Sequence, residues 1–100
     1  MMRIEIPFNE WSRERLYHGQ KTATSRNKKY GVTGDWFRID DIDYELDIVM
    51  ELPLWFVTSE LFISEGADTP EEFIDVWKQT HPSKGYVPEQ KVWYHHFKYS

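Results

Sequence analysis

Apolar and polar residues alternate with a period of two along five short stretches of the chain, which predicts five β-strands. The predicted strands cover residues 2–6, 22–27, 36–39, 44–52 and 91–99. In the clearest of them, the side chains expected to share the buried face are Tyr44, Leu46, Ile48 and Met50. In the last strand, the side chains expected to point inward are Trp93, Phe97 and Tyr99.

Two other segments show the periodicity and the end signals of α-helices. Apolar residues recur at helical spacing over residues 70–80, directly after Thr69, a residue type that caps helix N-termini. A second helix over residues 10–18 is predicted between Asn9 as N-cap and Gly19 as the residue that ends it.

The apolar segment 54–63 has no clear period, and a short helix capped by Ser59 and ending at Gly66 is one interpretation. Strands and helices then follow one another in the order β, α, β, β, β, α, β. The strands are too short and too few for a doubly wound sheet. The pattern therefore predicts an α+β fold: a small mixed β-barrel of about five strands with two to three helices, formed by residues 1–100 as one domain.

Composition narrows the class of protein. Aromatic residues make up 17% of the chain, enough for a few large side chains to build a core, and cysteine is absent. Disulfides and zinc–thiolate sites are thereby excluded. No apolar run is long enough to span a bilayer and no secretory signal is visible, so we expect a cytoplasmic protein without a membrane partner. A monomer is favoured, although the sequence leaves the oligomeric state open.

The charges are segregated along the chain. Residues 1–38 contain eight Lys and Arg against four Asp and Glu. In residues 39–77 all twelve charged side chains are Asp or Glu, and residues 78–100 carry a net positive charge again. Such asymmetry can indicate an anionic partner for the basic part, or segments that neutralise one another in the fold.

The basic N-terminal part contains the pattern Gly19-x-Lys21-Thr22-x-Thr24-x-Arg26. Strand periodicity predicts that Thr22, Thr24 and Arg26 share one face, which Lys21 can reach on its flexible stem. A threonine hydroxyl becomes a nucleophile when a neighbour accepts its proton. A lysine can do so if desolvation or a second cation, such as Arg26, lowers its pKa. These residues could equally be ordinary strand and surface residues.

Together with Gly34-Asp35, Glu65-Gly66 and the helix beginning at Thr69-Pro70, this pattern resembles the ASCH domain family over nearly the whole chain. The resemblance implies a PUA-like β-barrel with a cleft for RNA or a nucleotide-like ligand. One small bacterial branch of that family is an amidohydrolase that removes the acetyl group of N4-acetylcytidine with a lysine, a threonine and a glutamate. By position in the pattern, these correspond to Lys21, Thr24 and Glu65.

Lys21, Thr22 and Arg26 of this motif are predicted to bind the ligand, and further ligand-binding candidates follow them. Lys28, Lys29 and Trp36 offer cations and an aromatic ring to a phosphate backbone and a base. The four histidines lack the spacing of a metal site and glycine-rich phosphate loops are missing, so we predict neither a metal nor a cofactor.

Three hypotheses remain open from the sequence. The leading one is a domain that binds RNA or a modified nucleoside in a cleft lined by Lys21, Thr24, Arg26 and Glu65. The second is an amidohydrolase acting on N4-acetylcytidine, with Thr24 as nucleophile, Lys21 as base and Glu65 as acid. The third is a protein-interaction module that uses the acidic face of the strand over 44–52, which carries Glu45, Asp47 and Glu51.

Overall fold

The computed structural model describes all residues from 1 to 100, which form three helices and four strands. In chain order the elements are α1 (Glu10–Tyr17), β1 (Ala23–Arg26), β2 (Trp36–Ile39), β3 (Ile42–Pro53), α2 (Leu54–Glu60), α3 (Pro70–Thr80) and β4 (Lys91–Tyr99). None of the helices combines the length and the apolar character that a bilayer-spanning segment requires.

The four strands form one curled antiparallel sheet in the order β1-β4-β3-β2, which confirms the predicted α+β fold. The fifth predicted strand, residues 2–6, is not a full strand. It makes a single parallel bridge between Arg3 and Trp36, flanked by backbone hydrogen bonds of 2.8 and 3.0 Å. The pairing ends at Ile4, and Pro7, which has no N–H to donate to a ladder, closes the segment. No strand pairs with the outer side of β1, which is therefore an edge strand whose outer side we call its free edge.

The pairing of β3 with β4 contains an irregularity between Leu46 and Ile48 that reverses the side-chain alternation. Leu46 is fully buried as expected, whereas Ile48 and Met50, which were predicted to share its face, are each 44% exposed. An extra residue in one strand moves every later side chain to the other face. Val49 therefore packs against the core instead.

Strand β4 contributes to two hydrophobic cores, one on each face of the sheet. The first contains Ile6, Leu16, Phe37, Tyr44, Leu46 and Phe97. The second contains Ala23, Leu54, Val57, Ala67, Phe73, Trp77, Val92 and Tyr94. Of the side chains predicted to point inward from β4, Phe97 is buried and Trp93 half-buried, but Tyr99 is 63% exposed because it lies at the strand's end.

The helix ends follow the predicted signals with one exception. The side chain of Asn9 accepts from the Ser12 N–H at the start of α1, and Thr69 accepts from the Glu72 N–H at the start of α3. The predicted cap at Ser59 is wrong. Helix α2 begins directly after Pro53, and Ser59 lies inside it with its hydroxyl donating to the Trp55 carbonyl.

Candidate functional site

A cleft of about 590 Å³ opens beside the N-terminal end of α1 and the free edge of β1. Its floor is polar and is formed by Lys21, Thr24, Ser25, Arg26 and Glu65. The predicted catalytic residues and Arg26 therefore lie together in one concavity, although they come from two segments more than 35 residues apart.

Backbone hydrogen bonds at the start of β1 bring these two segments together. The carbonyl of Ser64 accepts from the N–H groups of Thr22 and Ala23, at 2.8 and 2.9 Å. The following residue, Glu65, is thereby held against the base of β1. Gly66 comes next with a φ of +99°, which places its backbone where a Cβ would stand 3.1 Å from the Lys21 Cβ. The close approach of the two segments depends on this glycine.

Lys21 and Glu65 form a buried ion pair, with side chains that are 5% and 4% exposed. The ammonium donates to the backbone carbonyl of Glu65 at 2.8 Å and approaches its carboxylate at 3.4 Å. Burial lowers the pKa of Lys21, Glu65 opposes this change, and the nearby Arg26 adds to it. A lysine with a lowered pKa can accept a proton more readily than a solvated one.

Ser25, which was not predicted as a site residue, holds the other side of the Glu65 carboxylate. Its hydroxyl donates to Oε2 at 2.7 Å and its backbone N–H donates to Oε1 at 3.3 Å. This N–H lies on the free edge of β1, where an unpaired donor is costly to bury. Glu65 thus supplies the acceptor that a neighbouring strand would otherwise provide.

Arg26 connects the floor to the rim of the cleft. Its Nε donates to the Thr24 hydroxyl oxygen at 2.9 Å, and its Nη2 donates to the Pro7 carbonyl at 2.6 Å. Its guanidinium carbon lies 5.0 Å from the ring centroid of Phe8 and 5.7 Å from that of Tyr30. Burial lowers the pKa of Arg26 from its very high ordinary value. Two aromatic faces thus flank a cation at the mouth of the cleft.

The Thr24 hydroxyl accepts from Arg26 and makes no hydrogen bond with Lys21, whose ammonium is directed to Glu65. The arrangement stabilises negative charge on the Thr24 oxygen, because a charged N–H donor strengthens as that charge develops. Proton transfer from Thr24 to Lys21 would require these two groups first to come into hydrogen-bond contact.

A buried histidine anchors the rim. His95 accepts from the Tyr30 N–H through Nε2 at 3.0 Å, so its proton lies on Nδ1, which faces the Thr24 carbonyl at 3.1 Å. Burial lowers the pKa of His95 and favours this neutral form. This role was not predictable, because adjacent His95 and His96 look equivalent in the sequence.

The wall opposite the floor is apolar and comes from one face of α3. Phe73, Val76 and Trp77 line it at the helical spacing expected from the sequence, and the His81 ring stacks on Trp77 at 4.1 Å. The indole N–H of Trp77 is buried without a hydrogen-bond partner.

Three predicted ligand-binding residues lie outside the cleft. Thr22 lines a smaller hollow of about 300 Å³ because β1 begins only at Ala23, so strand alternation does not extend back to it. Lys29 lies over the Trp93 ring at 5.0 Å. Trp36 lies on β2, at the far end of the sheet, with Arg3 above its ring. Lys28, by contrast, lines the cleft.

No group of three His, Asp or Glu side chains is close enough together to hold a metal ion. The buried carboxylate of Glu65 is instead occupied by hydrogen bonds from Lys21 and Ser25.

The backbone is similar to that of an ASCH domain from Lactobacillus crispatus JV V101, with a TM-score of 0.68 over 98% of this chain and 78% of that one. The sequences are 13% identical. The chain has the ASCH fold. A DUF984 protein from Enterococcus faecalis V583 shares it at 19% identity and a TM-score of 0.62, over 98% of this chain and 78% of that one.

A third similar structure is that of the hypothetical protein PH0355. It has a TM-score of 0.64 and 16% sequence identity, over 99% of this chain and 96% of that one. No family model and no curated protein matches the sequence. The fold of the ASCH domain that the sequence motif implied is confirmed by the similarity of these structures.

Proposed function

We propose that the cleft of this ASCH fold binds RNA or a modified nucleoside. The observation that carries this proposal is the convergence of Lys21, Ser25, Arg26 and Glu65 on the floor of a concavity with aromatic rings at its mouth. The volume of about 590 Å³ lies within the usual range for small-molecule sites, about 300 to 1,000 Å³.

The chemistry of the cleft suits a base and its attached polar groups. The rings of Phe8 and Tyr30 can stack on a planar base. Arg26 uses Nε and Nη2 within the protein, which leaves Nη1 for a carbonyl or phosphate oxygen of the ligand. Lys28 lines the same cleft, 4.7 Å from the Tyr30 ring, and can add a second positive charge.

Binding is tested by calorimetric titration of the protein with cytidine, N4-acetylcytidine and a single-stranded RNA hexamer at two salt concentrations. Arg26→Gln should weaken binding about tenfold or more, because hydrogen bonds to charged groups contribute about 1.5 to 3 kcal/mol. Arg13→Gln is the matched control, since Arg13 pairs with Asp40 outside the cleft. If none of the three ligands binds at low salt, the proposal is wrong.

The lowered pKa of Lys21 and the Arg26 donor on the Thr24 oxygen favour a second candidate, hydrolysis of N4-acetylcytidine. In the neutral form of the buried pair, with the shared proton on the Glu65 carboxylate, Thr24 Oγ1 would attack the acetyl carbonyl carbon while its proton passes to Lys21. The C–N bond would then break as Glu65 gives its proton to N4, which leaves an acetyl ester on Thr24 and restores the Lys21–Glu65 ion pair. Water would hydrolyse the ester, so that the products are cytidine and acetate.

Incubating the purified protein with N4-acetylcytidine and following cytidine by chromatography tests this candidate. Thr24→Val and Lys21→Met should each abolish turnover, whereas Arg13→Gln should not. Absence of conversion at high protein concentration eliminates hydrolysis and leaves the binding proposal standing.

The acidic strand face offers less support for a protein-interaction module. Glu45 lies opposite Lys98 in the sheet, and Asp47 accepts from His96 at 2.7 Å when that ring carries its proton on Nδ1. Asp47 therefore already has a partner within the fold, and the irregularity after Leu46 places Glu51 on the opposite face of β3 from Glu45.

A further inference from the structure

A row of lysines over aromatic rings runs from the cleft onto the neighbouring surface. Lys28 lies 4.7 Å from the Tyr30 ring centroid, and Lys29 lies 5.0 Å from that of Trp93. We call Lys28, Lys29, Tyr30 and Trp93 the outer strip. Both lysines are exposed, and neither has a carboxylate within 4.0 Å. Their positive charge is therefore available to a ligand.

The outer strip begins where the cleft ends. Trp93 lies directly opposite Arg26 in the pairing of β1 with β4, and Arg26 lines the cleft. Opposite residues of an antiparallel pair share a face of the sheet, with Cα atoms about 4.5 to 5.5 Å apart. Tyr30 belongs to both sites, because its ring lines the cleft and supports Lys28. A ligand that fills the cleft can thus continue onto Trp93 without crossing a gap in the surface.

We propose that the outer strip binds a second nucleotide of a single-stranded nucleic acid, with its base on Trp93 and the linking phosphate on Lys28 and Lys29. This inference rests on the proposed function and specifies its ligand as a polynucleotide instead of a free nucleoside.

The alternation of cations and rings favours a nucleic acid over an acidic peptide. A peptide carboxylate would use the lysines but leave the rings unused, whereas a nucleotide presents a phosphate and a flat base at adjacent positions. Lys29 must leave the ring face when a base arrives. That exchange is weakly opposed, because exposed cation–π contacts are among the weaker ones in proteins and the ammonium gains a phosphate partner.

Glu51 sets the outer limit of the strip. It lies opposite Trp93 on β3, it is exposed, and it would repel a further phosphate. The strip therefore has room for one nucleotide beyond the cleft. We expect affinity to rise from nucleoside to dinucleotide and then to change little with length.

The test compares cytidine, the cytidine dinucleotide CpC and a cytidine hexamer by titration calorimetry at constant salt. CpC should bind about tenfold more tightly than cytidine, and the hexamer within about threefold of CpC, since one stacked base supplies most of the gain. Trp93→Leu and Lys29→Gln should remove much of the gain while leaving the affinity for cytidine unchanged. Trp93→Tyr should restore part of it.

Trp55→Leu and Lys84→Gln are matched controls, because both side chains are exposed and neither lines the cleft or the strip. Equal affinity for cytidine and CpC overturns the inference and leaves the nucleoside proposal intact. The inference is also overturned if Trp93→Leu and Lys29→Gln weaken the affinity for cytidine and for CpC equally, since the residues would then act on the cleft. Failure of cytidine, CpC and the hexamer all to bind overturns this inference, whereas the proposed function is overturned only if N4-acetylcytidine also fails to bind.

Discussion

The floor and the rim of the cleft place lysines in opposite environments. On the floor, Lys21 is 5% exposed and bonded to Glu65, which in turn accepts from Ser25. Lys28 at the rim and Lys29 just outside the cleft are exposed, and both lie over aromatic rings without carboxylate partners. Lysine is therefore held by buried hydrogen bonds on the floor, whereas the exposed lysines have few contacts within the protein.

This difference indicates a division of roles. A buried ion pair gains little net stability, but loss of one partner is strongly destabilising because a charge is left in an apolar environment. Exposed cations contribute little to stability and act mainly through long-range attraction and salt-sensitive contacts. The floor fixes the geometry of the cleft, and the rim adjusts how strongly and how selectively it binds.

The largest effect is expected from Glu65→Ala, which leaves Lys21 buried without its counter-ion and removes the acceptor of Ser25. We expect the free energy of unfolding to fall by about 3 to 5 kcal/mol, measured by urea denaturation. Glu60→Ala, at the exposed end of α2, should change it by less than about 0.5 kcal/mol. A loss below about 1 kcal/mol in Glu65→Ala would show that the floor is not held by this pair.

Gly66→Ala should have the next largest effect, about 2 kcal/mol or more. Its φ of +99° is strained for alanine, and the new Cβ would stand 3.1 Å from Lys21 Cβ and 3.2 Å from Arg15 Cδ. Gly85→Ala is the matched control, because Gly85 also has a positive φ, of +71°, but no atom within 4 Å. Equal losses in the two variants would mean that backbone strain alone acts, and that the floor tolerates displacement.

The sequence predicted much of the fold because local signals were strong. The bounds of α3 and of strands β2 and β4 followed from capping residues, periodicity and flanking turns. The irregularity between Leu46 and Ile48, which reverses the side-chain alternation of β3, was not predictable. Apolar and polar residues continue to alternate through this part of the sequence, and only the pairing with β4 creates the bulge.

The floor was only partly predictable for a related reason. The motif grouped Lys21, Thr24, Arg26 and Glu65, and the structure places all four along one cleft. Ser25, however, was not among the candidates, because strand alternation puts it on the face away from Thr24. Because β1 is an edge strand, the cleft extends around its edge and takes side chains from both faces.

A smaller effect is expected from pH at His95, which joins the floor to the rim. Its pKa is lowered in the fold by burial, so the unfolded chain binds the proton more readily. Stability is therefore complete above the ordinary histidine pKa of about 6.5 and falls as the pH drops below it, by at most about 1.4 kcal/mol per pH unit. Urea denaturation of wild type and His95→Gln between pH 5 and 8 measures the difference.

The control for that comparison is His18→Gln, since His18 is exposed at the end of α1. His18→Gln should follow the wild-type pH profile, whereas His95→Gln should flatten it. If both profiles match the wild type, protonation of His95 does not loosen the contact with Tyr30.

The smallest effect on stability is expected from Lys28→Gln, which should change the free energy of unfolding by less than about 0.5 kcal/mol because the side chain is exposed. The same change should lower the slope of log affinity for an RNA hexamer against log salt by about 0.7, the value for one phosphate contact on a single strand. Lys84→Gln, whose lysine lines neither the cleft nor the strip, should alter neither quantity. An unchanged slope in Lys28→Gln would show that the rim does not contact the phosphates of the ligand. A large loss of stability would instead mean that rim and floor form one structural unit.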